Sequence, residues 1–211
     1  MAVKVIVFDF DGTLIDSNQI KYDAFFELFP SDNLHKQILE DVLSEFVEES
    51  RYVILKEILK RIDDGDKNEG KIARKVEKLA DSYNDLVLTG AKNCNDMPGA
   101  KTVLKALSSK YRLYLNSTTP EVSLKEIVRD RGWNEFFCDI FGHPNDKVST
   151  ILEIMRNESK SSYELLVVGD GESDKASARA AECGFFEISR VCNLKDLMDF
   201  LKDAKSGSRV D

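Results

Sequence analysis

The sequence predicts an α/β protein, a doubly wound (Rossmann-like) parallel sheet with a helical domain inserted after its first strand. Three observations carry this. The run Val5-Ile6-Val7-Phe8 is continuous, apolar and β-branched, as expected of a strand buried on both faces. From Ser17 to about Leu88 apolar residues recur only at helical spacing. From about residue 100 onward, helical and strand-like segments alternate, the pattern of βαβ units. These shifts divide the chain into a discontinuous α/β domain, residues 1–16 and 93–211, and a helical domain, residues 17–92.

The elements follow in order. Strand 1 is expected near residues 3–9. In the helical block, Ile20, Ala24, Phe25 and Leu28 mark a first helix, with Asp16, Ser17 or Asn18 as its N-cap. Pro30-Ser31-Asp32 breaks it. Ile38, Val42, Leu43, Phe46 and Val47 form a second stripe. Val53, Ile54, Ile58 and Leu59 form a third, ended by Asp63-Asp64-Gly65-Asp66. Ile72, Val76, Leu79, Tyr83 and Leu86 form a fourth. Phe25, Phe26 and Phe29 read as core or interface residues of this block rather than substrate stackers. A linker and turn are expected from Asn93 to Gly99. Then come a helix at 100–109, a strand at 111–116, a helix at 120–131 and a short strand near Cys138–Phe141. A helix at 146–157, a buried strand at 163–168, a helix at 174–183, a weak strand at 184–188 and a helix at 194–203 complete the pattern. The tail Ala204–Asp211 is polar and expected to fray.

The chain has 211 residues, enough for one core and an insertion, and a formal net charge of −8. That balance argues against a broad nucleic-acid footprint, which needs a basic face. It leaves room for a small anionic substrate, because a local lysine or a cation can reverse the field. Cys94, Cys138, Cys183 and Cys192 lack metal or disulfide spacing and read as free, mostly buried thiols of a reducing compartment. There is no leader-like N-terminus and no apolar run of membrane-spanning length, so a cytoplasmic protein without a membrane partner is expected.

In open α/β sheets ligands bind beyond the carboxyl ends of the strands. Strand 1 is followed by Asp9-Phe10-Asp11-Gly12-Thr13-Leu14, the next by Asn116-Ser117-Thr118-Thr119, and a later one by Gly169-Asp170-Gly171-Glu172-Ser173-Asp174. Asp9 and Asp11 alternate onto one side of an extended chain, where like charges need a cation or a donor to offset them. Lys147 opens a helix before the strand that leads to Asp170. The set supplies a nucleophile, a hydroxyl donor, a cation and further carboxylates, which suits phosphoryl transfer. An aspartate can attack phosphorus, and Mg²⁺ takes a few carboxylates while keeping several waters. Ser117 and Lys147 are placed to hold the transferring oxygens.

These residues resemble the haloacid-dehalogenase (HAD) superfamily. Asp9-Phe10-Asp11-Gly12-Thr13-Leu14 is similar to its first motif, Leu113-Tyr114-Leu115-Asn116-Ser117 to the second, Lys147 to the third, and Val168-Gly169-Asp170-Gly171-Glu172-Ser173-Asp174 to the fourth. The likeness spans essentially the whole chain and is loosest in the helical insertion. The branch it resembles holds phosphoglycolate phosphatases and β-phosphoglucomutases with a helical cap. The resemblance implies that Asp9 attacks the phosphoryl group. Asp11 would protonate the leaving oxygen and then activate water against an aspartyl-phosphate. Asp9, the backbone carbonyl of Asp11 and Asp170 would hold Mg²⁺, with Asp174 as a further ligand or anchor. Ser117, Lys147 and the close backbone approach at Gly12 would bind phosphate.

Dehalogenases of the superfamily lack the second aspartate of the first motif, so Asp11 favours phosphate chemistry. Mutases of the branch carry a histidine where this chain has Lys21, which weakens the mutase reading and makes Lys21 a candidate substrate contact. The segment Glu49-Ser50-Arg51 resembles one in which an arginine meets a substrate's distal anionic group, so Arg51 is a second specificity candidate.

Plainer readings stand beside these. Asp-x-Asp-Gly alone is a turn. Ser117 to Pro120 can be a helix N-cap, Asp170 and Asp174 a turn and a cap, and Lys21 and Arg51 solvated surface charges. Glu172 reads as a loop carboxylate, and His143 is given no role. The expectation is a Mg²⁺-dependent phosphatase of a small phosphorylated metabolite, monomeric by default with a dimer possible. A sugar phosphomutase and a catalytically silent binding protein are the alternatives. The substrate itself is not legible.

Overall fold

A computed structural model describes residues 3–47, 49–62 and 68–206. The chain divides into two compact units, Met1–Asp16 with Cys94–Asp211, and Ser17–Asn93.

The first unit is built on β1 (Val5–Phe8), β2 (Arg112–Pro120), β3 (Asp139–His143), β4 (Leu165–Gly169) and β5 (Gly184–Glu187). All neighbours pair in parallel, in the order β3-β2-β1-β4-β5. The order reverses direction at β1, so β1 and β4 flank the switch point where such sheets bind ligands. Every residue of β1 and β4 is buried, which is why both read as unbroken apolar runs. Val5 and Val7 pack with Ile151, Ile154 and Ala178 on one face. Their alternates Ile6 and Phe8 are wholly buried toward the other.

In this unit the helices are α5 (Ala100–Ser108), α6 (Glu121–Asp130), α7 (Lys147–Glu158), α8 (Glu172–Ala180) and α9 (Leu194–Ser206). The helical unit holds α1 (Asn18–Glu27), α2 (Asn33–Glu45), α3 (Arg51–Ile62) and α4 (Glu69–Asn93). It has its own core of Phe25, Leu39, Val42, Leu55, Ile58, Val76, Ala80 and Tyr83 among others. Phe25 and Tyr83 meet ring to ring at 4.5 Å.

Several expectations need correction. The second strand does not stop at residue 116. It runs to Pro120, with a register shift against β3 between Asn116 and Pro120. Ser117-Thr118-Thr119 therefore belongs to an irregular strand end, and α6 is capped by Pro120 without a side-chain bond. The expected linker at Asn93 is instead the last residue of α4, a 25-residue helix. Ser17 is the N-cap of α1 but gives no side-chain cap bond. The cysteines are free, yet Cys138 is exposed and the other three are only half-buried. The expected end of the third helix at Asp63–Asp66 lies outside the described residues. So does the tail from 207, while the backbone of 204–206 continues α9. Among the described residues no helix is long and apolar enough to cross a membrane.

Candidate active site

The strand ends bring the sequence motifs together. The Asp9 N–H donates to Val168 O at 2.8 Å, so the residue just past β1 stays tied to β4. Beyond it the chain turns sharply. Gly12 has φ of 75°, which a side chain would strain, and its N–H donates to Ile15 O at 2.9 Å. The apolar residues of this turn, Phe10, Leu14 and Ile15, are wholly buried and anchor it. Phe8 sits opposite Leu115 of β2 and Val168 of β4. Asn116-Ser117 and Gly169-Asp170 therefore continue level with Asp9-Phe10.

Carboxylate oxygens of Asp9, Asp170 and Asp174 all lie within 4.8 Å of one another. Lys147, the first residue of α7, donates to Asp9 Oδ1 at 2.8 Å and to Asp174 Oδ1 at 2.5 Å. Its placement is shared between two elements: Asp146 caps α7 through Ser149 N–H, and Asn116 Nδ2 donates to the Lys147 carbonyl at 3.0 Å. Asp174 also caps its own helix, accepting from Gly171 N–H at 3.3 Å, so the plainer reading of that residue holds alongside its place in the cluster.

The electrostatics follow from burial. Burial pushes the Asp9 carboxyl up to about 7. The nearby Lys147 ammonium opposes this, and the Asp174 and Asp11 charges reinforce it. Asp174 is raised for the same first reason, again against Lys147. Burial alone would lower the Lys147 ammonium, but the two carboxylates outweigh it and hold it above its ordinary value.

Asp11 is buried, and its carboxylate is not part of the three-carboxylate cluster. Its Oδ2 accepts from Thr119 Oγ1 at 2.7 Å. Ser117 is buried, and its Oγ accepts from Thr119 N–H at 3.1 Å. Thr13, wholly buried, donates to Asp170 Oδ1 at 3.0 Å. Sequence reasoning missed Thr13, Thr119 and Asn116 as site residues. Glu172 is exposed at the start of α8, 3.9 Å from Lys175.

Lys21 and Arg51 belong to the helical unit. The Lys21 carbonyl accepts from Tyr83 Oη at 3.1 Å. Arg51 opens α3 with its guanidinium 5.3 Å from the Tyr52 ring centroid, and its buried Nε has no hydrogen-bond partner among the described residues.

Comparison with known proteins agrees with this arrangement. The family model described as haloacid dehalogenase-like hydrolase matches residues 6–188. A phosphoglycolate phosphatase of Vibrio vulnificus (strain YJ016) is 24% identical over 199 residues, covering 89% of this chain and 84% of that protein. The HAD-hydrolase YfnB of Bacillus subtilis, solved bound to magnesium, superposes with a TM-score of 0.69 at 17% identity, over 96% of this chain and 100% of that one. A haloacid dehalogenase-like family hydrolase of Streptococcus pneumoniae superposes with a TM-score of 0.67 at 19% identity, over 94% of this chain and 90% of that one. With a family match that runs from the first strand past the last, and with the motif residues gathered at the strand ends, this chain belongs to the haloacid dehalogenase-like hydrolase family.

Proposed function

We propose that this protein is a Mg²⁺-dependent phosphatase that hydrolyses a small phosphorylated metabolite through a phosphoryl group carried on Asp9. The observation that carries the reading is the three-carboxylate cluster with Lys147 bonded to two of its members. Asp9 and Asp174 share the Lys147 ammonium, and burial has raised both carboxyls. The cluster is therefore short of positive charge, and its all-oxygen donor set fits a hard divalent cation. Asp9, Asp170, Asp174 and the Asp11 carbonyl would hold it. Bound there, Mg²⁺ supplies positive charge against the phosphoryl oxygens.

The protein's own groups do the rest. With Oδ1 taken by Lys147, Asp9 Oδ2 accepts no hydrogen bond among the described residues and is the attacking oxygen. Its bond to phosphorus forms as the bond to the leaving oxygen breaks, and Asp11 gives that oxygen a proton. Asp11 then takes a proton from the water that attacks phosphorus, which releases inorganic phosphate and restores Asp9. The Ser117 hydroxyl accepts from Thr119 N–H and so keeps its own O–H to donate to a phosphoryl oxygen, alongside the Lys147 ammonium. Gly12 lets the backbone approach that group closely.

Relatives named phosphoglycolate phosphatase support a substrate with a second anionic group. Arg51, whose buried Nε has no hydrogen-bond partner among the described residues, and Lys21 are the specificity residues on this reading. Release of free phosphate from a panel of sugar phosphates, phosphoglycolate and nucleotides, with and without Mg²⁺, tests the proposal. Metal-dependent release is expected, and Asp9→Asn should abolish it. Conversion to an isomeric phosphate with little free phosphate would favour the mutase instead. An Asp9→Asn variant that works at the wild-type rate overturns the reading.

A further inference from the structure

From the hydrogen bond between Thr119 and Asp11 and the register-shifted strand end that frames it, we infer that Thr119 is the positioning residue for the Asp11 carboxylate. The inference rests on the phosphatase reading, in which Asp11 exchanges protons with the leaving oxygen and then with water. A group with that task needs one orientation, and an aspartate at a turn has two free torsions unless something holds it. Thr119 Oγ1 donates to Asp11 Oδ2 at 2.7 Å across 108 residues of sequence, from the end of β2 to the turn after β1.

Thr119 is itself held from both sides. Its N–H donates to Ser117 Oγ at 3.1 Å. Its carbonyl lies against Gly142 of β3, where an added Cβ would come within 2.6 Å of that oxygen. The register of β2 against β3 shifts between Asn116 and Pro120, and such a break in the ladder re-aims the side chains it carries. A fixed backbone therefore presents the hydroxyl to Asp11. Thr119 is only half-buried, so its hydroxyl is not hydrogen-bonded merely because it is hidden from water.

A positioning role and a merely structural one differ in what they do to esters of different leaving groups. Nitrophenolate leaves readily without a proton, whereas phenolate needs one. The test compares kcat/KM for p-nitrophenyl phosphate and for phenyl phosphate, two esters of similar shape, in wild type, Thr119→Val and Thr119→Ser. The expected result for Thr119→Val is a fall of about tenfold or more on phenyl phosphate and a change within about twofold on p-nitrophenyl phosphate. Thr119→Ser, which keeps the hydroxyl, should restore most of the phenyl phosphate rate. An equal fall on both esters, no fall on either, or a serine variant as impaired as the valine variant would overturn the assignment while leaving the phosphatase reading intact. A wild-type protein that hydrolyses neither ester with Mg²⁺ overturns the phosphatase reading, and the Thr119 role falls with it.

Discussion

The Lys147 ammonium donates to Asp9 Oδ1 at 2.8 Å, joining the first residue of α7 to the residue that follows β1. It also donates to Asp174 Oδ1, so one cation stands between two buried carboxylates. Removing it leaves those carboxylates facing each other. Lys147→Ala is expected to destabilise the metal-free protein by about 3 kcal/mol, the usual cost of breaking a buried pair from one side. Urea unfolding measures this. Mg²⁺ should recover part of the loss, because it replaces the missing positive charge. Phosphatase turnover should not recover.

On the proposed reading, the raised Asp9 carboxyl should link Mg²⁺ binding to pH. In the metal-free protein Asp9 titrates near about 7, because burial disfavours its charge. A folded-state value above the unfolded one means the folded protein holds a proton that the unfolded chain has lost. This group therefore costs metal-free stability as pH rises from the ordinary carboxylate range to about 7. Mg²⁺ needs the ionised form. Its apparent affinity should rise at least about tenfold per pH unit below 7, since the Asp174 carboxyl is raised as well, and flatten as both groups ionise. Calorimetric titrations at pH 6 in two buffers of different ionisation enthalpy should show proton release on binding, and a pH-independent affinity would contradict the assignment.

Gly169 closes β4 directly beneath Asp174. An added Cβ would lie 2.4 Å from Asp174 Cγ and 2.5 Å from its Oδ2. Gly169→Ala must displace that carboxylate, because its own backbone is held in the sheet. Mg²⁺ affinity is expected to fall about tenfold or more, the scale seen when a ligand's support is altered. Thermal unfolding should change far less. A variant that unfolds early and yet binds Mg²⁺ normally would show that the glycine serves the sheet alone.

Arg51 carries a buried Nε with no partner among the described residues. If it recognises a distal anionic group, Arg51→Ala should raise KM about tenfold or more for a doubly anionic substrate such as phosphoglycolate, with kcat changed little. For p-nitrophenyl phosphate, which lacks a second anion, both constants should stay near wild type. Equal effects on the two substrates would remove Arg51 as a specificity residue.

What the sequence made legible, and what it hid, follows from how local each signal is. The buried strands β1 and β4 read as apolar runs because both faces are covered, and the acidic and glycine residues beyond them mark the strand ends. Lys147 was legible only in the company of the other motifs, since nothing local separates it from a solvated lysine. Thr13 and Thr119 were not legible. Each acts on a carboxylate 157 or 108 residues away, and a threonine carries no pattern that names its partner. Ser117 to Pro120 carried the polar, proline-ended look of a helix cap, but pairing with β3 across a register shift keeps it in the strand. Asn93 read as the start of a linker because Lys92 and Asn93 do not continue the apolar stripe, while the backbone stays helical to that residue. The steric role of Gly169 appears only once Asp174 folds back over it.

The central claim is that Asp9 carries the phosphoryl group. Rapid acid quenching of the wild-type protein during turnover of p-nitrophenyl phosphate, followed by mass spectrometry of its peptides, tests it most directly. One phosphoryl group on the peptide bearing Asp9, converted by borohydride so that Asp9 becomes homoserine, is the predicted result. A phosphoryl group on another residue such as Ser117, with the Asp9 peptide unmodified, would contradict it.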